Sequence, residues 1–124
     1  MGEQFLVINY WFFVRNRLKR ALALLRQSCV EAACGETALR TLISYPAGYS
    51  LVLIDLNTPG INGPDLLKII KQDERLRHLK VIIVAENLSL EVINDLLSKG
   101  ADGCLDQNLS PSQLKEALTR ACQS

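Results

Sequence analysis

Apolar residues along the chain fall into two alternating patterns, short unbroken runs and stripes at helical spacing. Phe5-Leu6-Val7-Ile8 is a continuous β-prone run, and Val14, Leu18, Ala21, Leu22 and Leu25 after it share one helix face. Residues 30–33 read as a weaker, short strand. Gly35 opens a helix with Ala38, Leu39, Leu42 and Ile43 as its inner side, ending before Pro46 and Gly48. Leu51-Val52-Leu53-Ile54 is an uninterrupted strand with Asp55 at its carboxyl end, and the loop over residues 57–63 leads into a helix through Leu66, Leu67, Ile69 and Ile70. Val81-Ile82-Ile83-Val84 is the fourth strand, and a helix with Leu90, Ile93, Leu96 and Leu97 follows and stops at Gly100. Gly103-Cys104-Leu105 is a short fifth strand. The last helix starts after Ser110, with Pro111 at its first position, and buries Leu114, Ala117, Leu118 and Ala121.

Strands that are apolar on both faces and joined by helices predict a parallel sheet covered on both sides, a doubly wound α/β domain. The 124 residues fit one such domain and leave little room for two. In sheets of this kind ligand chemistry gathers beyond the strand carboxyl ends. Those ends carry Asn9 and Tyr10, Asp55, Ala85 and Glu86, and Asp106 and Gln107. The first connection reads Asn9-Tyr10-Trp11-Phe12-Phe13 and has no glycine-rich phosphate turn, which argues against dinucleotide and P-loop chemistry.

Composition narrows the class. Hydrophobic residues make up 48% and charged residues 22%, enough for a sizeable core and against disorder. The longest apolar run, over residues 5–14, is broken by Asn9 and too short for a bilayer, and Met1-Gly2-Glu3-Gln4 shows no basic region of a secretory signal. The expectation is a cytoplasmic domain with no membrane association. A net charge of +1 gives no general reason for nucleic-acid binding. Its distribution is less even: residues 15–26 hold Arg15, Arg17, Lys19, Arg20 and Arg26 and no acid, leaving nine bases against 13 acids elsewhere.

One basic helix on a mildly acidic body is either a solvated face or a docking surface. Three adjacent aromatics at a helix start cannot all face inward, so Phe12 or Phe13 is expected in the core and at least one ring outside. Trp11, with Arg15 and Lys19, is the candidate partner contact, because aromatic residues and arginine recur at binding hot spots. Cys29, Cys34, Cys104 and Cys122 include no C-x-x-C pair, and His78 is the only histidine, so the expectation is buried free thiols rather than a zinc site.

The stretch Leu53-Ile54-Asp55-Leu56-Asn57-Thr58-Pro59-Gly60-Ile61-Asn62-Gly63 resembles the segment around the phosphoacceptor of the receiver domain of bacterial two-component response regulators. Gly35-Glu36-Thr37-Ala38-Leu39, and Gly100-Ala101-Asp102-Gly103 with Leu105 and Pro111, extend the resemblance over about residues 5–121. It implies a single flavodoxin-like, CheY-like (βα)5 domain over residues 1–124, with strand order 2-1-3-4-5. It also implies an aspartate that accepts a phosphoryl group from a phosphohistidine partner with the help of Mg²⁺. Asp55 matches that acceptor, and Asn57 matches the position whose backbone carbonyl contacts the metal.

The other site positions depart from the family pattern. Asn9 and Tyr10 stand in place of a pair of acids, Ala85 in place of a Ser or Thr hydroxyl, Gln107 in place of a lysine, and Cys104 in place of a switch aromatic. Mg²⁺ is held by carboxylate oxygens, and these changes take the formal carboxylate charge from about −3 to about −1, with the Tyr10 ring expected in the ion's space. Ala85 cannot bond phosphoryl oxygens, and Gln107 donates a hydrogen bond without a positive charge.

The expectation is therefore a pseudo-receiver, a signalling and interaction module without the Mg²⁺-dependent phosphorylation switch. Two alternatives stand beside it: a conventional phosphorelay receiver phosphorylated on Asp55, the only reading that calls for Mg²⁺, and a small-ligand sensor whose apolar crevice is lined by Tyr10, Trp11, Phe12 and Ala85. Expected partners are a histidine kinase, a phosphotransfer protein or a fused output domain. A homodimer through the last two helices would have Lys99, Lys115, Arg120, Glu91, Asp95 and Glu116 available for pairing. No enzyme reading competes, since the sequence offers no nucleophile–base pair, no cofactor fingerprint and, as far as the strand ends show, no second carboxylate near Asp55.

Overall fold

A computed structural model describes residues 4–123. The opening residues 1–3, on which the reading of the N-terminus partly rests, lie outside the described residues. Five strands alternate with five helices: β1 (Gln4–Ile8), α1 (Phe12–Leu24), β2 (Cys29–Ala32), α2 (Gly35–Ser44), β3 (Tyr49–Asp55), α3 (Gly63–Gln72), β4 (Lys80–Ala85), α4 (Leu90–Ser98), β5 (Gly103–Asp106) and α5 (Pro111–Gln123). A 3-10 turn at Pro46–Gly48 links α2 to β3. All strands are parallel, in the order β2-β1-β3-β4-β5.

The two-residue period of the strands divides their side chains between two cores. Leu6, Ile8, Val52, Ile54, Val81 and Ile83 face one way, onto Ala38 and Leu42 of α2, Leu66, Leu67 and Ile70 of α3, and Leu96 of α4. Phe5, Val7, Leu51, Leu53, Ile82 and Val84 face the other way, onto Leu18, Ala21 and Leu22 of α1 and Leu114 and Leu118 of α5. Burial on both faces is why the strand runs are unbroken.

Helix ends follow local chemistry. The Asn62 side chain accepts from Asp65 N–H at the start of α3, and Ser89 accepts from Val92 N–H at the start of α4. Ser110 and Gln113 form a reciprocal capping box ahead of α5, each side chain accepting from the other's backbone N–H. At the end of α4, Gly100 adopts φ +107° while its N–H reaches Leu97 O and Ala101 N–H reaches Leu96 O, a Schellman stop. Here glycine matters, because an L side chain is strained at that angle.

Some inner faces are narrower than periodicity predicted. Ile43 of α2 is exposed, and on α4 only Leu96 is fully buried, while Leu90 and Leu97 face solvent. Short helices packed on an edge strand bury a stripe one or two residues wide. None of the four thiols is fully buried: Cys29, Cys34 and Cys104 are half-buried and Cys122 is exposed, all of them free. Among the described residues, no helix is long and apolar enough to cross a membrane.

Candidate functional site

The carboxyl ends of β1, β3, β4 and β5 meet at one rim. Asp55 is the last residue of β3 and is 6% exposed. Its Oδ1 accepts from Asn57 N–H at 3.2 Å. Burial pushes the Asp55 carboxyl above the usual carboxylate range, opposed only by that backbone donor. The loop beyond Asp55 is fixed from several sides. Thr58, itself buried, donates both its N–H and its hydroxyl to the Asp55 carbonyl, and Leu56 N–H reaches Val84 O at 2.9 Å. Gln107 N–H reaches Ala85 O at 3.1 Å, tying the β5 end to the β4 end.

A crevice of about 250 Å³ opens over Asp55, lined by Trp11, Asp55, Asn57, Ala85, Glu86 and Gln107. Five of these were singled out from sequence; Glu86 was placed at a strand end but not beside Asp55. The expectation of a single carboxylate there is corrected, because Glu86 follows β4 directly and turns into the same space, where its Oε1 accepts from Gln107 Nε2 at 2.9 Å. Among the described residues, no group of three or more His, Cys, Asp or Glu side chains is placed to hold a metal ion.

Asn9 and Tyr10 part company. Asn9 is 1% exposed, its Oδ1 accepts from Trp11 N–H at 2.9 Å, and its Nδ2 has no partner. Tyr10 does not enter the crevice as expected: it is 58% exposed and stacks edge-on against Trp11, with ring centroids 5.3 Å apart. Trp11 supplies the aromatic wall instead. Neither Tyr10 nor Phe12 lines the crevice, which is small and mostly polar, so the apolar sensor geometry is not formed. Cys104 packs at the edge of the core under α4, away from the crevice, and burial raises its thiol pKa.

The expectation that Phe12 or Phe13 enters the core is also corrected. Phe12 is 63% and Phe13 79% exposed, and the two pack edge-on at 6.2 Å. Both rings stand in the first turn of α1, whereas the helix enters the core further along, through Leu18, Ala21 and Leu22. The basic residues behind them are largely committed to the fold. Arg15 donates to the carbonyls of Asn9 and Tyr10, pairs with Glu31 at 3.2 Å and lies 6.0 Å from the Phe12 ring centroid. Lys19 pairs with the other Glu31 oxygen at 3.1 Å, and Arg17 reaches the Leu109 carbonyl. Arg15 is therefore a brace of the β1–α1 loop rather than a free contact residue.

The doubly wound parallel sheet, with its central strand ending on a buried aspartate at the rim where ligands of such sheets bind, is the architecture that the resemblance to receiver domains implies. Sequence comparison agrees: the chain belongs to the response regulator receiver domain family, whose model matches residues 5–119. It is 30% identical over 116 residues to the chemotaxis protein CheY of Pseudomonas aeruginosa, covering 93% of this chain and 92% of that protein. It is 36% identical over 90 residues to CheY-3 of Vibrio cholerae, covering 73% and 68% respectively. The structure of the chemotaxis response regulator CheY4 of Vibrio cholerae shares the fold, with a TM-score of 0.87 at 19% identity over 98% of this chain and 99% of that one.

Proposed function

We propose that this receiver domain is a pseudo-receiver, signalling through protein contacts without a Mg²⁺-dependent phosphorylation switch. The observation that carries the reading is the fate of the two positions after β1. Where the family resemblance implies two metal-binding acids, Asn9 is buried with its oxygen held by Trp11 N–H, and Tyr10 is turned to solvent. Mg²⁺ demands near-octahedral oxygen ligation. The crevice offers two carboxylates, Asp55 and Glu86, and its other lining residues, Trp11, Asn57, Ala85 and Gln107, bring no further carboxylate. The residues present do not fit the ion. Ala85 has no hydroxyl to grip a phosphoryl group, and the Gln107 amide is turned to Glu86, so a phosphorylated state gains few contacts over the free one.

On this reading the chain is one non-catalytic cytoplasmic domain over residues 1–124, with its core at about 5–121. Its partner surface is the aromatic ridge of Tyr10, Trp11, Phe12 and Phe13, four adjacent rings that the fold leaves uncovered. The last two helices are a weaker candidate for a homodimer face. Four of the six charges named there pair within their own helices, Asp95 with Lys99 at 2.9 Å and Glu116 with Arg120 at 3.0 Å, although Leu90 and Leu97 of α4 are exposed.

The test is intact mass after incubation with a small acyl phosphate donor, with and without Mg²⁺, beside Asp55→Ala. No added phosphoryl group under conditions that label an ordinary receiver is the expected result. A Mg²⁺-dependent gain that Asp55→Ala abolishes overturns the reading and makes the domain a phosphorelay component.

A further inference from the structure

We propose that the outer face of α1 docks an acidic amphipathic helix of a partner protein, laid along α1 from the aromatic ridge to Leu24. The inference rests on the preceding reading, that the ridge is a partner surface, and adds what the partner must carry. Helix α1 enters the core through Leu18, Ala21 and Leu22. At about 100° per residue, the opposite face carries Phe12, Phe13, Asn16, Arg20, Ala23 and Leu24, none of them buried. The two rings stand at one end, Ala23 and Leu24 stand about 16 Å away at the other, and Arg20 lies between them. The rings are held ready for contact. Tyr10 and Trp11 pack edge-on at 5.3 Å, Phe12 and Phe13 at 6.2 Å, and Arg15 braces the loop carbonyls beneath them. Side chains fixed in this way lose little freedom on binding.

Charge narrows the occupant. Among the described helices only α1 has bases and no acid, whereas Glu36, Asp65, Asp95 and Glu116 lie on the other four. Glu31 of β2 pairs with Arg15 and Lys19. Among the described residues no carboxylate pairs with Arg17, Arg20 or Arg26. A second copy meeting this face symmetrically would set like charges against one another, which opposes self-contact. Lipid recognition through basic residues calls for clusters of about four to eight, and three uncompensated arginines fall short of that. An acidic helix answers both halves of the face. Its apolar stripe covers the rings and Leu24, and its carboxylates meet the arginines.

Trp11 is the only tryptophan of the chain and is exposed, so its emission reports on the ridge alone. The experiment titrates ¹⁵N-labelled protein with a helical peptide of about 15 residues, built of leucine and glutamate with the leucines on one face. A version with glutamine for glutamate and a scrambled version serve as controls. Saturable change in Trp11 emission and in the α1 amide signals is expected with the glutamate peptide, weakening as salt rises from about 50 to about 300 mM. Arg20→Glu should cut the affinity about fivefold or more, Arg20→Lys should keep most of it, and Phe13→Ala should cut it about tenfold. All three side chains are exposed, and an otherwise unchanged spectrum confirms the fold of each variant. No saturable response to the glutamate peptide overturns the proposal, as does equal binding of either control or an undiminished response in Arg20→Glu. So does binding to phosphatidylserine vesicles without a peptide response, which assigns the face to lipid, or peptide-free self-association in sedimentation that Phe13→Ala abolishes, which assigns it to a second copy. Mg²⁺-dependent phosphorylation of Asp55 overturns the pseudo-receiver reading and leaves this titration unchanged, so the two failures are distinguishable.

Discussion

Replacing Asn9 by Asp tests the site from the inside. Asn9 sits one residue beyond the Ile8–Ile54 register pair of β1 and β3, and Asp55 holds the equivalent place on β3. Neighbouring strands run about 5 Å apart, so Asn9→Asp brings a second carboxylate against Asp55 with no cation lining the crevice. Two like charges about 5 Å apart at an effective dielectric of about 20 repel by about 3 kcal/mol. The new side chain keeps an oxygen for the Trp11 N–H, so the loss is electrostatic rather than a broken cap.

In a domain of this size about 3 kcal/mol corresponds to a fall in Tm of roughly 10–15 °C at pH 7. The pair relieves its repulsion by taking up a proton, which raises its folded pKa. The variant's deficit is therefore absent below the unfolded carboxyl pKa and grows as pH rises through the folded one. Adding Tyr10→Asp supplies the third acid. At about 10 mM Mg²⁺ and a Kd of about 1 mM, the double variant gains about 1.4 kcal/mol, while the wild type gains little. Urea unfolding at pH 5 and pH 7, with and without Mg²⁺, reads all of this. A single variant as stable as wild type at pH 7, or a wild type stabilised by Mg²⁺ as strongly as the double variant, refutes the reasoning.

Asp55→Asn should be more stable than wild type at neutral pH. Burial raises the Asp55 carboxyl pKa, so the stability linked to its proton is present below the unfolded value and lost as pH rises through the folded one. Denaturant melts should show that advantage shrinking towards pH about 3, and a constant advantage argues against burial as its cause. Trp11→Ala with Phe13→Ala should leave stability within about 0.5 kcal/mol per site, because both rings are exposed, while weakening partner binding in a titration with any cognate signalling protein. Asp102→Ala should cost about 1–3 kcal/mol in chemical denaturation, since its Oδ2 accepts from Val81 N–H at 2.8 Å and from Lys71 Nζ at 3.1 Å. Asp102→Asn, which restores only the uncharged bond, should recover part of that loss.

Much of the site was legible because it sits where strands end. Asp55, Ala85 and Gln107 could be placed at the rim from periodicity alone, and the crevice brings all three together. Glu86 was visible at the same rim, but whether a residue one step past a strand turns inward depends on the loop, here held by Gln107. The opposite outcomes for Asn9 and Tyr10 were equally closed to sequence. Both are polar residues after a strand, and the Trp11 N–H bond to Asn9 and the Arg15 brace settle which one points in. The basic run over residues 15–26 lies on the surface, but Glu31 on the adjacent strand neutralises two of its charges, Arg15 and Lys19.

The unbroken apolar runs by themselves determined a parallel sheet with helices on both faces, since only that arrangement buries a strand on two sides. Turn and cap residues by themselves placed the start of α2 and α5 and the end of α2 and α4. Only the tertiary structure decided which side chains share the crevice and which rings stay uncovered. Those outcomes depend on contacts between segments distant along the chain, such as Glu86 with Gln107 and Arg15 with Glu31. Local pattern fixes what each segment buries, whereas the site is made of what four strand ends and their loops leave unburied together.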